Sequence, residues 1–544
     1  MLASSAGTED YILLRMCRTV SLVVFAISLS AAEPPTVTVT GGQVRGGVLE
    51  KGSAVFKGIP FAQPPLGDLR WRPPAAVNPW DGVRDATRFS APCAQNAGGR
   101  MLEGSSEDCL YLNVWTPLWP PTQARLPVMF WIHGGGNYGG TASSANFDGE
   151  SLARRGVLVV SANYRLTIFG FFAHPELTRE SAHHSSGNYG LLDQIAALEW
   201  VRDNIARFGG DPGNVTVFGQ SAGAVDANVL MTSPLAKGLF HKVIAESGTV
   251  TRNPDAATMG MTALGALMQV KDGAVTYSDA PLLAEAEQAG EKLASNLAAL
   301  RALPAADLLK MVAGPRMAIG PANGVVVDGW VFPRPPAEIF AKGQEFRVPL
   351  LLGNNARERT PPETTPGDLS KAADAMYGPL GSQASALYGF AKKPETEPDS
   401  LYGGTAAQWV VDTMYRCPVV AQLLWHVAAG NPAYEYQFDH APPGRETLGA
   451  VHGAEVPFVF GLPNSNNTRY TAVDVEISSA LQRYWTSFAK TGSPGAAGLP
   501  QWPKFDSTAR GYIEFTDSGP VAREGLRRPF CDLYVDNVKR LMSR

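Results

Sequence analysis

Residues 208–223 read FGGDPGNVTVFGQSAG, and that stretch decides how the chain is organised. Val215, Thr216, Val217 and Phe218 form a β-branched and aromatic run suited to a buried strand. Gly219-Gln220-Ser221-Ala222-Gly223 follows, and the small residues beyond it suit a helix. Strand, sharp turn and helix in that order push the Ser221 hydroxyl out at the strand end. The flanking positions leave almost no room for side chains, which is why glycine occupies both. The amide of Ala222 then faces the place where negative charge on an attacked carbonyl oxygen would gather. In a chain with 56 glycines a G-x-S-x-G alone says little, so the surroundings must carry the reading.

Outward from that turn the pattern is consistent. PVMFWI (127–132) and GVLVVSAN (156–163) are continuous apolar runs of strand length, as expected of strands covered on both faces. Leu191, Leu192, Ile195, Leu198, Val201 and Ile205 recur at helical spacing and predict an amphipathic helix leading into the Val215 strand. Lys242–Glu246, Val348–Leu352 and Tyr434–Phe438 are further strand candidates, with helices between them. Strands alternating with helices predict a large, mainly parallel central sheet flanked by helices, an α/β fold. Residues 36–60 alternate as an N-terminal β-meander, and Pro64–Pro74 reads as extended surface chain. Residues 255–320 read as helical excursions and 360–400 as a loop-rich rim.

Composition excludes several classes. Apolar content is 45% and charged content 18%, ordinary for a globular protein. A net charge of −4 with no basic block argues against a nucleic-acid partner. No Cys or His spacing suggests a metal, no cofactor is expected, and His183-His184 reads as a solvated loop. Thr19–Ala32 is an apolar run after Arg15 and Arg18 that ends in Ser30-Ala31-Ala32. It has the form of a secretory signal peptide, with the true start at Met1 or Met16. Residues 1–32 would then be a leader, and 33–544 one domain that is exported and has no membrane span. Cleavage removes Cys17 and leaves four of the five cysteines for an oxidising compartment.

A serine hydroxyl needs a general base, and the base needs a carboxylate to orient it. In the chain order expected for such a sheet both follow Ser221. The histidines after it are His241, His426, His440 and His452. His241 precedes a strand and His426 lies on an apolar helix. His452 sits among small residues that let it reach a cleft, and His440 at a strand end remains a competitor. Glu358, just beyond the strand that ends at Gly353, is the acid candidate; a surface pairing with Arg357 or Arg359 is its alternative.

GIPFAQPPLGDLRW (58–71), SEDCLYLNVW (106–115), WIHGGG (131–136), NYRLTIFGF (163–171), FGGDPGNVTVFGQSAG and HGAEVPFVFGLP (452–463) together resemble the type-B carboxylesterases, which include cholinesterases and nitrobenzyl esterases. The resemblance implies an α/β-hydrolase fold and hydrolysis of small carboxylic esters, with the site in a gorge. It implies Ser221 as nucleophile, His452 as base and Glu358 as orienting acid, with the amides of Gly135, Gly136 and Ala222 as oxyanion hole. It also implies disulfides Cys93–Cys109 and Cys417–Cys531. Three positions depart from the family pattern. Asn137 makes the wall of the oxyanion hole more polar, and Gln220 replaces a glutamate that favours choline. Arg359, with Arg357, brackets Glu358 with positive charge. If an arginine faced the gorge, polycarboxylate esters such as fumonisins would suit it. A catalytically silent adhesion protein on the same fold would lack the serine, and a lipase would need a large apolar lid.

Overall fold

The computed structural model describes residues 34–122, 125–250, 269–271, 274–276, 280–312, 325–359, 366–390, 398–463 and 468–543. The leader expected over 1–32 lies outside them, as do much of 255–320 and parts of 360–400. From Pro35 onward the chain forms one compact unit.

Its centre is an 11-stranded sheet. In chain order the strands are β1 (Gly47–Val48), β2 (Ala54–Pro60), β3 (Tyr111–Thr116), β4 (Leu126–Ile132), β5 (Leu158–Ala162), β6 (Gly210–Gln220), β7 (Lys242–Glu246), β8 (Leu350–Asn355), β9 (Ala433–Phe438), β10 (Gly511–Thr516) and β11 (Gly519–Glu524). Across the sheet they run β11-β10-β9-β8-β7-β6-β4-β5-β3-β2-β1. The central run from β5 to β10 is parallel, and antiparallel pairs close both edges. This is the fold class that the alternating strands and helices predict.

Alternate residues of the central strands feed two separate cores. On β4, Val128, Phe130 and Ile132 enter one, and Met129 and Trp131 the other. The first core receives Leu191, Leu198 and Val201 of α1 (Tyr189–Asn204) and Ala224 and Leu230 of α2 (Ala222–Leu230). It also takes Val419 and Leu423 of α3 (Cys417–Ala428). The second receives Ile477, Leu481, Trp485 and Phe488 of α4 (Ala472–Thr491). Apolar runs that lack alternation are therefore strands buried on both faces.

Three expectations need correction. Helix α1 is buried on nearly every side rather than amphipathic. Its buried acid is paired: Asp193 receives two hydrogen bonds from the Arg165 guanidinium, at 2.8 and 2.7 Å. Residues 360–400 are not simply loops, because Pro366–Tyr377 and Gly381–Tyr388 are helices that bury Leu369, Ala373, Tyr377 and Ala384. Within Pro64–Pro74 the chain makes a helical turn at Gly67–Leu69. Arg70 is also drawn inside, where Glu107 accepts its Nε at 2.7 Å and its Nη2 at 2.5 Å. Regular short-range patterning reveals neither long-range pair.

Two disulfides are present, Cys93–Cys109 and Cys417–Cys531. The second ties α3 to α5 (Arg528–Met542) across 114 positions. Closing a loop near 100 residues is worth about 4–5 kcal/mol in the chain-entropy model, against about 3 kcal/mol for a loop of about 15. Replacing both Cys417 and Cys531 by serine should therefore lower stability in denaturant titration more than the matching Cys93/Cys109 double variant does. The reverse order would contradict the model.

Candidate active site

β6 lies between β4 and β7 in the parallel part of the sheet, so Ser221 emerges at the carboxyl end of the sheet's central strand. Ser221 has φ 57° and ψ −121°, a backbone conformation costly to a residue with a Cβ. Its own amide donates to the carbonyl of Glu246 at 2.8 Å, and its carbonyl accepts the amides of Ala224 and Val225. Gly223 has no alternative: a Cβ there would sit 2.1 Å from the Ile132 carbonyl oxygen. Ala222 heads α2, so its amide has no carbonyl within the helix to bond.

The loops beyond β8 and before residue 453 are zipped together. The His452 amide donates to the Glu358 carbonyl at 3.0 Å, and the Arg357 amide to Ala450 at 3.0 Å. The Asn355 side chain donates to Val451 at 2.7 Å. In this frame His452 Nδ1 lies 2.6 Å from Glu358 Oε2. A carboxylate at that nitrogen fixes the proton on Nδ1 and leaves Nε2 with a lone pair. Nε2 accepts from the side-chain amide of Gln220 at 3.3 Å, the residue before Ser221.

Glu358 is 1% exposed. Burial alone would raise its carboxyl. The charge and hydrogen bond of His452, with hydrogen bonds from Ser247 and the Asn355 amide, outweigh it and hold the group below the usual range. Glu358 is thus an inward-facing carboxylate, not a surface partner of its neighbouring arginines.

The other histidines are committed elsewhere. His440 lies 2.6 Å from Asp517 through Nδ1 and 2.8 Å from Asp474 through Nε2, so both nitrogens face carboxylates. His426 is buried between Glu345 and Val348. His241 Nδ1 accepts the Val215 amide. His183 is exposed and stacks on Trp330 at 3.8 Å.

Gly135 (φ 118°) and Gly136 (φ 65°) form a tight turn closed by bonds from the Tyr138 and Gly139 amides to the Gly135 carbonyl. At Gly135 a Cβ would meet the Gly139 carbonyl oxygen at 2.0 Å, so the loop requires glycine.

Asn137, expected as a polar wall of the oxyanion hole, and Arg357, expected as charge beside Glu358, are both turned to other partners. Asn137 is 2% exposed and its side chain turns inward to Asp226 and Tyr164. Arg357 spends its guanidinium on the backbone carbonyls of Leu401, Thr447, Asp399 and Ser400 and clamps those loops. Each would lose buried or multiple hydrogen bonds by turning outward. Arg359 differs: it is exposed, its Nε donates to the Tyr415 hydroxyl at 3.3 Å, and the Tyr415 ring lies 5.4 Å from that of His452.

Residue patterns missed the buried acids Asp226, Glu246 and Glu455. Trp485 Nε1 donates to Glu246 at 2.8 Å, and Asn355 donates to Glu455. The legible signal for Asp226 was a lone acid in the otherwise uncharged helix Ala222–Leu230. Among the described residues no group of His, Cys, Asp and Glu could hold a metal ion.

Sheet order, strained serine turn and paired His and Glu together define an α/β-hydrolase. The family profile of the carboxylesterases matches residues 33–534, and the chain belongs to that family and is a carboxylic ester hydrolase. It is 34% identical to the medium-chain fatty acyl-CoA hydrolase precursor of Anas platyrhynchos, over 99% of this chain and 98% of the relative. It is 35% identical to fumonisin B1 esterase of Sphingopyxis macrogoltabida, over 87% and 84%. A solved structure of PNB esterase superposes with a TM-score of 0.75 at 32% identity, covering 92% of this chain and 99% of the other.

Several buried acids shape the pH response. Burial pushes Glu435 up to about 8 and Asp226 up to about 7, and raises Glu246 and Glu455 as well. An acid whose carboxyl is raised on folding stabilises the fold below its unfolded value, here 4.5 for Glu435, and loses that contribution as pH rises towards its folded value. Glu358 acts oppositely, but only below 4.5. His133, pushed down to about 4 by burial, works the other way up to about pH 6.5, so the melting temperature should fall from about pH 6.5 to about pH 8, and Glu435→Gln should flatten that slope. A melting temperature that rises through this range would contradict the assignment.

Proposed function

We propose that Ser221, His452 and Glu358 carry the ester hydrolysis as a catalytic triad, with the amides of Gly135, Gly136 and Ala222 as oxyanion hole. The observation that carries the reading is the Glu358–His452 contact at 2.6 Å beside the strained serine turn. His452 Nε2 takes the Ser221 proton as Oγ attacks the acyl carbon, and the three amides receive the charge that forms on the carbonyl oxygen. His452 then returns the proton to the leaving alcohol. Water, activated by the same nitrogen, attacks the acyl-enzyme; the acid leaves and Ser221 regains its proton. Glu358 keeps the proton on Nδ1 and stabilises the imidazolium without leaving its anionic state. Gln220 moves off Nε2 when substrate brings the serine hydroxyl to it. An adhesion-type reading has no use for this complete set of groups.

Ser221→Ala should lower kcat on the order of a million-fold with the fold intact, and His452→Ala comparably. Glu358→Gln should cost less, because it disturbs orientation and charge and leaves the nucleophile in place. His440→Ala should leave kcat within a few-fold. A variant set in which His440 is the essential histidine would overturn the assignment of the base.

A second reading concerns substrate. Arg359 is hydrogen-bonded to Tyr415, whose ring lies 5.4 Å from that of His452; the field of Glu358 acts on it, but among the described residues no carboxylate forms a salt bridge with it. A guanidinium there would hold a second carboxylate of the acyl group through a bidentate fork, and polycarboxylate esters become the favoured class. The relative named fumonisin B1 esterase agrees with this direction. Arg359→Ala should raise KM roughly tenfold for a polycarboxylate ester and leave a matched neutral ester unchanged. Equal changes on both substrates would sink it. The reading also takes the chain as exported: the leader-like residues 1–32, the two disulfides and a relative named as a precursor support it. Among the described residues no helix is long and apolar enough to cross a membrane.

A further inference from the structure

Asp226 is wholly buried four positions after Ala222 on α2, on the same side of the helix. Among the described residues no cation pairs with it. Its Oδ1 accepts from the Asn137 side-chain amide at 3.3 Å, and its Oδ2 from Gln194 of α1 at 2.6 Å. A carboxyl group with only amide partners is expensive inside a protein, and an apolar residue would pack there at less cost.

Asn137 links that group to the glycine loop. It ends the turn through Gly135 and Gly136 with φ 60°. Its backbone carbonyl accepts the Thr167 amide at 2.8 Å, and its Oδ1 accepts the Tyr164 hydroxyl at 3.0 Å. Tyr164 stacks on His133 and also reaches its carbonyl. On one side of the site, then, a glycine turn supplies two amides; on the other, α2 supplies the third. The Asn137–Asp226 hydrogen bond is a direct side-chain link between that turn and α2.

We propose that Asp226 is a positioning residue for the ester-hydrolysis site: through Asn137 it braces the glycine loop against the nucleophile's helix and holds the amides of Gly135 and Gly136 in register with that of Ala222. The proposal rests on the oxyanion hole described under the proposed function. The brace affects the transition state more than the bound substrate, because a hydrogen-bond donor displaced by a fraction of an ångström weakens binding of the oxyanion and leaves the ester's ground-state contacts in place.

The test uses the full chain and one neutral ester. Asp226→Ala should lower kcat roughly 10- to 100-fold with KM within about twofold, and weaken a trifluoromethyl ketone, which binds as a tetrahedral oxyanion, by the same factor. Asp226→Asn should keep kcat within about threefold. Its side-chain oxygen still accepts from Asn137, and Gln194, whose Oε1 has no partner among the described residues, turns to accept its amide. Asn137→Gly tolerates the positive φ, cuts the same link and serves where Asp226→Ala fails to fold; its loss should match. The double variant Asp226→Ala/Asn137→Gly should be no worse than either single one. Unchanged kcat in Asp226→Ala and Asn137→Gly, a loss confined to KM, or additive losses would overturn the brace. Ser221→Ala run alongside separates the two ideas. If it still turns over, the triad reading fails; if it is dead while Asp226→Ala and Asn137→Gly run normally, the brace alone fails.

Discussion

Ser221 occupies a backbone conformation that costs about 1–3 kcal/mol and exists only because its surroundings leave no alternative. The constraint is steric and comes from the sheet. Gly223 packs against the carbonyl of Ile132 at the end of β4, and the serine amide is held by Glu246 at the end of β7. Parallel neighbours on both sides of β6 therefore fix one turn. The twofold burial of those strands, with alternate residues feeding two cores, keeps them rigid enough to do so.

Everything else in the site is arranged around that turn by hydrogen bonds across loops. The loop after β8 brings Glu358 inward, and backbone bonds from Arg357 and His452 dock the histidine loop against it. The side chain of Asn355 adds a third link. Glu358 and His452 are thus placed by the same zipped pair of loops, so a shift of one carries the other with it. Arg357, whose charge beside Glu358 made it one candidate for a gorge-facing arginine, belongs to this scaffold: its guanidinium clamps the chain near residues 399–401 and 447.

How much of this could be read from residues alone follows from the range of each interaction. The sheet was legible because uncharged runs such as PVMFWI report burial on both faces locally. The serine turn was legible because steric demand sits within five consecutive residues. His452 was favoured over His440 by its small neighbours, but only the contacts of His440 with Asp474 and Asp517 show where that ring is spent. The inward turn of Asn137, the anchoring of Arg357 and the burial of α1 on all sides depend on partners distant in the chain. No periodicity encodes them. Asp226 lies between these cases: an acid in an apolar helix is visible, but its partners Asn137 and Gln194 are not.

The central claim is that this strained serine, and no other nucleophile, carries the acyl group. The direct measurement is peptide mass mapping of the protein after stoichiometric reaction with a fluorophosphonate, with residual ester hydrolysis followed in parallel. The account predicts one adduct, on the peptide containing Ser221, whose growth matches the loss of activity. Full inactivation with the adduct on another residue, or complete labelling of Ser221 with hydrolysis undiminished, would contradict it.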